Sequence, residues 1–111
     1  MRITEEPHGN VMVVMAAGRL DGSTSGAFAE RIEPLIVGAQ PRLLIDFSGI
    51  DFVSSAGLRV VLTLLKKVKA ANGAFALCAV QAPVLEVLDI SGFTSLIDVH
   101  PGRTAALAAL G

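Results

Sequence analysis

Apolar positions along this chain follow two alternating rhythms. Val11–Ala17, Leu43–Phe47 and Ala74–Val80 are short, almost unbroken apolar runs. They are too short for typical helices and read as strands of a sheet, Leu43–Phe47 as a central one buried on both faces and interrupted only by Asp46. Arg2–Glu6, ahead of Pro7 and a His8-Gly9-Asn10 turn, reads as a further short strand, and Leu96–Val99 as a last one. Between these runs the spacing becomes helical. Phe28, Ile32, Leu35 and Ile36 make one apolar face, and Leu58, Val61, Leu62, Leu65 and Val68 make another, opposite Arg59, Lys66 and Lys69. Val84, Val87 and Leu88 follow Pro83 in the same manner, and Thr104–Leu110 is an alanine-rich helix.

The punctuation agrees with this division. Ser23, Thr24 and Ser25 are all suited to cap the first helix. Pro34 lies inside that helix, where its ring clashes with the carbonyl of Glu30, so a kink or an early end is expected. Asn72-Gly73 stops the second helix, and Gly92 followed by Phe93 reads as a helix end with an apolar clamp. The order β-β-α-β-α-β-α-β-α, without repeats or a linker, predicts one α/β domain over residues 1–111 with a mostly parallel sheet.

Composition changes the picture only by exclusion. The chain is 52% hydrophobic and 17% charged, which raises the question of a membrane span. A span needs about 20 apolar residues, whereas Val60–Leu65 is bracketed by Arg59 and by Lys66 and Lys67. MRITEEPHG has no apolar signal-peptide core, so a cytoplasmic location is expected, with no membrane partner. With a net charge of −1, and no basic cluster beyond Lys66, Lys67 and Lys69, nucleic acid is not an expected partner either. Cys78, the single cysteine, excludes an internal disulfide or a cysteine-rich zinc site and reads as a small buried hydrophobe. His8 and His100 each neighbour a proline, lack ligand-like spacing and read as surface residues. No metal or cofactor is expected.

The candidate chemistry gathers where the central strand gives way, through the loop Ser48–Val53, to the helix that opens on Ser54-Ser55-Ala56-Gly57. One serine suffices as a helix cap, whose removal costs about 1 kcal/mol. The second is left with two small neighbours and a hydroxyl open to a partner. Asp21, in Gly18-Arg19-Leu20-Asp21, also follows a strand and precedes a helix. It is either a turn aspartate or, if its strand neighbours the central one, part of the same site. Asp46 and Asp51 are the acids an α/β enzyme would use, but no second acid–base partner accompanies them. The chain also lacks G-x-S-x-G and G-x-x-x-x-G-K-[ST] motifs. A non-enzymatic role is expected.

The stretch Leu44-Ile45-Asp46-Phe47-Ser48-Gly49-Ile50-Asp51-Phe52-Val53-Ser54-Ser55-Ala56-Gly57-Leu58-Arg59-Val60-Val61-Leu62 resembles the signature of STAS domains, specifically bacterial anti-sigma factor antagonists. Gly18-Arg19-Leu20-Asp21 and Ser91-Gly92-Phe93 are similar to two flanking motifs of that family. The resemblance implies a four- to five-stranded, mixed and mostly parallel sheet with about four helices packed mainly on one face. It also implies a partner switch. The unmodified antagonist binds an anti-sigma factor that is often a serine kinase of the GHKL type. Phosphorylation at the start of the motif helix releases it, and a PP2C-type phosphatase resets it. Carried onto this chain, the resemblance places the phosphorylation at Ser55, with Ser54 the second candidate. Ser54 stands where the family's founding pattern has an acid, and Ala56 where it has a second hydroxyl. Asp21, Ser54, Ser55, Ala56, Gly57, Leu58 and Arg59 are then the partner-binding residues. The alternatives are a STAS scaffold or ligand-binding module that is never phosphorylated, in a stress or transport complex, and a small α/β enzyme using Asp46 or Asp51.

Overall fold

A computed structural model describes all 111 residues. Five strands, β1 (Arg2–His8), β2 (Val11–Leu20), β3 (Arg42–Val53), β4 (Ala74–Cys78) and β5 (Asp98–His100), form one sheet in the order β1-β2-β3-β4-β5. The β1–β2 hairpin is antiparallel and the other three pairings are parallel. Four helices accompany them: α1 (Ser25–Ile32), α2 (Ser55–Ala70), α3 (Ala82–Ile90) and α4 (Arg103–Leu110).

This strand order decides where the helices lie. Each parallel strand is added beside its predecessor in the same direction, so right-handed crossovers carry α1, α2 and α3 to one face. There Phe28, Ile32, Val61, Leu64, Val68, Val84 and Leu88 pack on Val14, Leu43, Ile45, Phe47, Phe75 and Leu77 in the larger core. α4 follows the last strand and is not a crossover. It folds over the opposite face, where Ala106 and Leu110 cover Val11, Val13, Leu44, Ala76 and Cys78. The alternation of Leu43, Ile45 and Phe47 against Leu44 along one strand is what lets both faces be covered.

Several boundaries differ from the sequence reading. β1 continues through Pro7 to His8, because an edge strand tolerates a residue without an N–H. α1 ends at Ile32 and a single 3-10 turn over Glu33–Leu35 carries Pro34, the early end that proline imposes. On α2, Leu64 is fully buried while Leu62 is only half-buried, so the inward stripe is rotated slightly from the expected one. β4 stops at Cys78, since Ala79 takes φ +55° and leaves the ladder. The chain after α3 turns at Gly92 (φ +80°) into a 3-10 turn over Phe93–Ser95, which delays β5 to Asp98 and leaves Leu96 exposed.

The largest difference concerns β3. The expected loop over Ser48–Val53 is strand: Gly49, Ile50, Phe52 and Val53 pair with Ala17, Gly18, Arg19 and Leu20, with register shifts between Met15 and Ala17 and between Gly18 and Arg19. The extra residues of the bulged strand break the alternation that marks a strand in sequence. Gly49 permits this, because a Cβ there lies 2.7 Å from Ala17 Cβ and 2.9 Å from the Ala16 carbonyl oxygen.

Candidate functional site

The long pairing of β2 with β3 brings both strand ends, and both following turns, to one edge of the sheet. Leu20 lies opposite Val53, and the Leu20 carbonyl accepts the Ser54 N–H at 2.9 Å. Asp21 is the next residue, so the Asp21 turn and the start of α2 share a hydrogen-bonded edge.

The two serines differ in their local chemistry. Ser54 is the N-cap of α2, with extended backbone (φ −92°, ψ 176°), and its hydroxyl accepts the Gly57 N–H at 3.3 Å. Ser55 is the first helical residue, is exposed, and its hydroxyl has no partner within the chain. The first amides of a helix lack intrahelical acceptors and carry the positive end of its dipole, which suits a negative group at Ser55. Ala56 is half-buried, Leu58 is half-buried against the larger core, and Arg59 is exposed one turn beyond Ser55. Gly57 is buried and offers no surface. A Cβ on it lies 2.4 Å from the Leu20 carbonyl oxygen and 2.9 Å from Leu20 Cγ. Its role in the site is to let the first turn of α2 seat directly on the end of β2.

Asp21 is held by its own turn. Its Oδ1 accepts the Ser23 N–H at 2.9 Å and the Ser23 hydroxyl at 2.7 Å, and Arg19 Nε stands 3.6 Å from Oδ2. Thr24 Oγ1 accepts the Asp21 N–H at 2.9 Å and donates to the Arg19 carbonyl at 2.6 Å. The Ser23 hydroxyl and amide bonds hold the carboxyl below the usual aspartate range, so it stays ionised. Two residues that the sequence reading did not single out complete the edge. Arg19 Cζ sits 4.1 Å from the centre of the Phe52 ring, and Phe52 is 39% exposed. The available signal was Phe52 itself, a large aromatic between acidic Asp51 and inward-facing Val53.

Asp46 is elsewhere. It points to the α4 face, is buried, and accepts the Ser48 N–H at 2.9 Å and Arg103 Nε at 3.0 Å, while Arg103 Nη1 donates to Glu6 at 2.9 Å. Burial by itself raises its pKa, but the Ser48 bonds and the Arg103 guanidinium outweigh burial and hold it below the usual value. Asp46 is thus committed to an ionic clamp that ties α4 to β3 and β1, while Asp51 is exposed. Cys78, beside Asp46 in register, is buried, and burial followed by the Asp46 charge pushes its thiol up to about 11. His8 is exposed as expected, but His100 is not a surface residue: it is half-buried and its Nε2 is enclosed without a partner. The short β5, paired directly with Cys78, draws it in beneath α4.

Three surface depressions, of about 510, 210 and 230 Å³, are lined by other residues, and none includes any of Ser54–Arg59. The serine edge is an open surface suited to a macromolecule rather than a cleft for a small ligand.

Comparison with known proteins agrees with the geometry. The model of the STAS domain family matches residues 2–106. The chain belongs to the STAS domain family. Within it, the chain is 38% identical over 94 residues, 81% of each sequence, to BtrV of Bordetella bronchiseptica, which is named as an anti-sigma factor antagonist. It is 29% identical over 111 residues to the anti-sigma F factor antagonist of Paenibacillus polymyxa, covering 99% of this chain and 95% of that one. The structure of an anti-sigma-factor antagonist (STAS) domain protein from Planctomyces limnophilus superposes with a TM-score of 0.89 at 27% identity, covering 97% of both chains. These relatives place the STAS chain among the anti-sigma factor antagonists. The expected five-stranded mixed sheet with its helices mainly on one face is the one found. No helix is long and apolar enough to cross a membrane.

Proposed function

We propose that this STAS domain is the antagonist arm of a phosphorylation-controlled partner switch, with Ser55 as the acceptor. In its unmodified form it binds an anti-sigma factor that is also a serine kinase of the GHKL type, through Asp21, Ser54, Ser55, Ala56, Leu58 and Arg59 over the seat that Gly57 provides. The kinase transfers the γ-phosphoryl group of ATP to Ser55 Oγ; the hydroxyl proton leaves to a base on the kinase and ADP is released. The complex then separates, and a PP2C-type phosphatase hydrolyses the phosphoserine and restores the first state.

The observation that supports Ser55 over Ser54 is the division of labour at the helix start. The Ser54 hydroxyl is engaged as the cap, whereas Ser55 is exposed and unpartnered. A phosphate adds a charge of about −1.5 to −2. The first turn of α2 tolerates that charge, so the fold persists. Beside the already ionised Asp21, or against an acidic or apolar partner surface, that charge is repelled and costly to desolvate, which opposes binding. The cytoplasm is the compartment where such a kinase and its ATP are available.

Incubation with the cognate kinase and ATP, followed by intact mass and peptide mapping, tests this. One phosphoryl group on Ser55 is expected, none on Ser55→Ala, and restoration by the phosphatase. Ser55→Ala is expected to bind the kinase constitutively and Ser55→Asp to lose it. Equal binding by those two variants, or phosphate on Ser54 alone, rejects the assignment.

A further inference from the structure

The residues of α2 that face solvent carry an unbalanced charge. Four of the nine basic residues of the chain, Arg59, Lys66, Lys67 and Lys69, are on α2, and none of the ten acidic ones is. The rest of the molecule therefore holds five cations against ten anions. At about 100° per residue, Ser55, Arg59, Lys66 and Lys69 fall on one outward face, with half-buried Leu62 between them. Lys67 lies off this strip and pairs with Glu33, in the 3-10 turn after α1, at 3.2 Å. Arg59, Lys66 and Lys69, like Arg2, have no side-chain carboxylate within 4.0 Å, whereas Arg19, Arg31 and Lys67 have one each and Arg103 has two.

Helix stability explains part of this pattern. Lysines in the last turn complement the negative end of the dipole. Arg59 gains nothing from it, since it stands in the second turn, near the positive end. Its position does match Ser55, four residues earlier, with the negative group N-terminal to the positive one, the better of the two orientations for such a pair. Ser54 has only Leu58 at that spacing.

We infer that the strip Arg59–Lys66–Lys69 docks an acidic surface of the protein partner, and that a phosphate on Ser55 closes the strip by capturing Arg59. The phosphate half of this inference rests on Ser55 being the acceptor; the docking half does not. Phosphoserine pairs with the Arg59 guanidinium across one helical turn, a charge-assisted contact. Its charge of about −1.5 to −2 offsets about half to two thirds of the three positive charges of the strip. The partner thus meets a surface of much reduced positive charge, and its acidic groups are repelled at the head of the helix. Charge of this kind mainly sets encounter rate and selectivity, so salt should weaken the unmodified complex.

The test uses the full chain and the purified kinase that phosphorylates it. Lys66→Glu/Lys69→Glu, both at exposed positions, should keep the wild-type circular dichroism and bind that kinase at least about tenfold more weakly. That difference should shrink between about 0.01 M and about 1 M ionic strength, as the screening length falls from about 30 Å to about 3 Å. Wild-type affinity in this variant, or a loss that salt leaves unchanged, overturns the docking half while Ser55 remains the acceptor. Wild-type chain binding a DNA duplex or phosphatidylserine vesicles as tightly as the kinase, and losing both in the double variant, overturns the assignment to a protein partner. For the capture of Arg59, phosphorus NMR of phosphorylated wild type and Arg59→Gln is decisive. The second phosphate pKa should lie below the ordinary value of about 6 in wild type and return toward it in Arg59→Gln. The same pKa in both overturns the capture. If no phosphate reaches Ser55 at all, the acceptor reading and the capture fall together, while the salt-dependent binding still decides the strip.

Discussion

At the junction of β2 with α1, the hydroxyls of Ser23 and Thr24 are both used inside the turn, on the Asp21 carboxylate and the Arg19 carbonyl. At the neighbouring junction of β3 with α2, one hydroxyl is used as a cap and the next, that of Ser55, is left free. The first junction is a closed frame with an ionised acid fixed in place. The second is a frame plus one spare nucleophile. The difference separates two tasks at a strand-to-helix edge: the capping hydroxyl and the free hydroxyl, the proposed acceptor, belong to adjacent residues, not to the same residue.

This contrast can be broken in graded ways. Gly57→Ala attacks the contact that joins the junctions, because its Cβ falls 2.4 Å from the Leu20 carbonyl oxygen. A loss of about 2 kcal/mol is expected from such overpacking, read by urea unfolding, with weaker phosphorylation because α2 is displaced. Ser54→Ala removes the cap and should cost about 1 kcal/mol, while Ser55 remains a substrate. If Ser54→Ala is instead unphosphorylated and fully stable, the roles of the two serines are reversed. Thr24→Val breaks the closed junction by leaving the Asp21 amide and Arg19 carbonyl without their bridge, at a cost of about 1 kcal/mol. Ser55→Ala should change stability by less than about 0.5 kcal/mol, since its hydroxyl supports nothing.

Acid gives the finest test. The folded pKa of Asp21 is lowered, so its contribution is present above the unfolded value of about 3.9 and disappears as pH falls through the folded value. Thermal unfolding between about pH 5 and pH 2 should lose part of its slope in Asp21→Asn, and Ser55→Ala should leave that slope intact.

Much of this architecture was legible from periodicity, because strands and helices differ in the spacing of their apolar residues and this chain keeps both spacings clearly. The turn position of Asp21 and the capping role of one serine also follow from short-range chemistry. What escaped was long-range or irregular. Ser48–Val53 lost its strand signature to bulges. Asp46 looked like an unpaired acid because Arg103 lies 57 residues away. Arg19 meets Phe52 only through the register of two strands. Gly57 looked like open surface next to Ser55, and its burial depends on where the end of β2 lies. The STAS resemblance supplied the role proposed for the serine edge, which no periodicity encodes.

The order of the strands in the sheet, identical to their order along the chain, has a consequence for synthesis. Each strand leaving the ribosome finds its partner in the strand made just before it, so no stretch has to wait for a distant segment and loop-closure costs stay small. The β2–β3 edge and α2 are complete once residue 70 has emerged. Asp46 is different. Until Arg103 arrives, a carboxylate destined for burial has no counter-ion, and the α4 face stays open. α4, made after all five strands, is therefore the segment that seals the back of the sheet, well after the surface carrying Ser55 has formed.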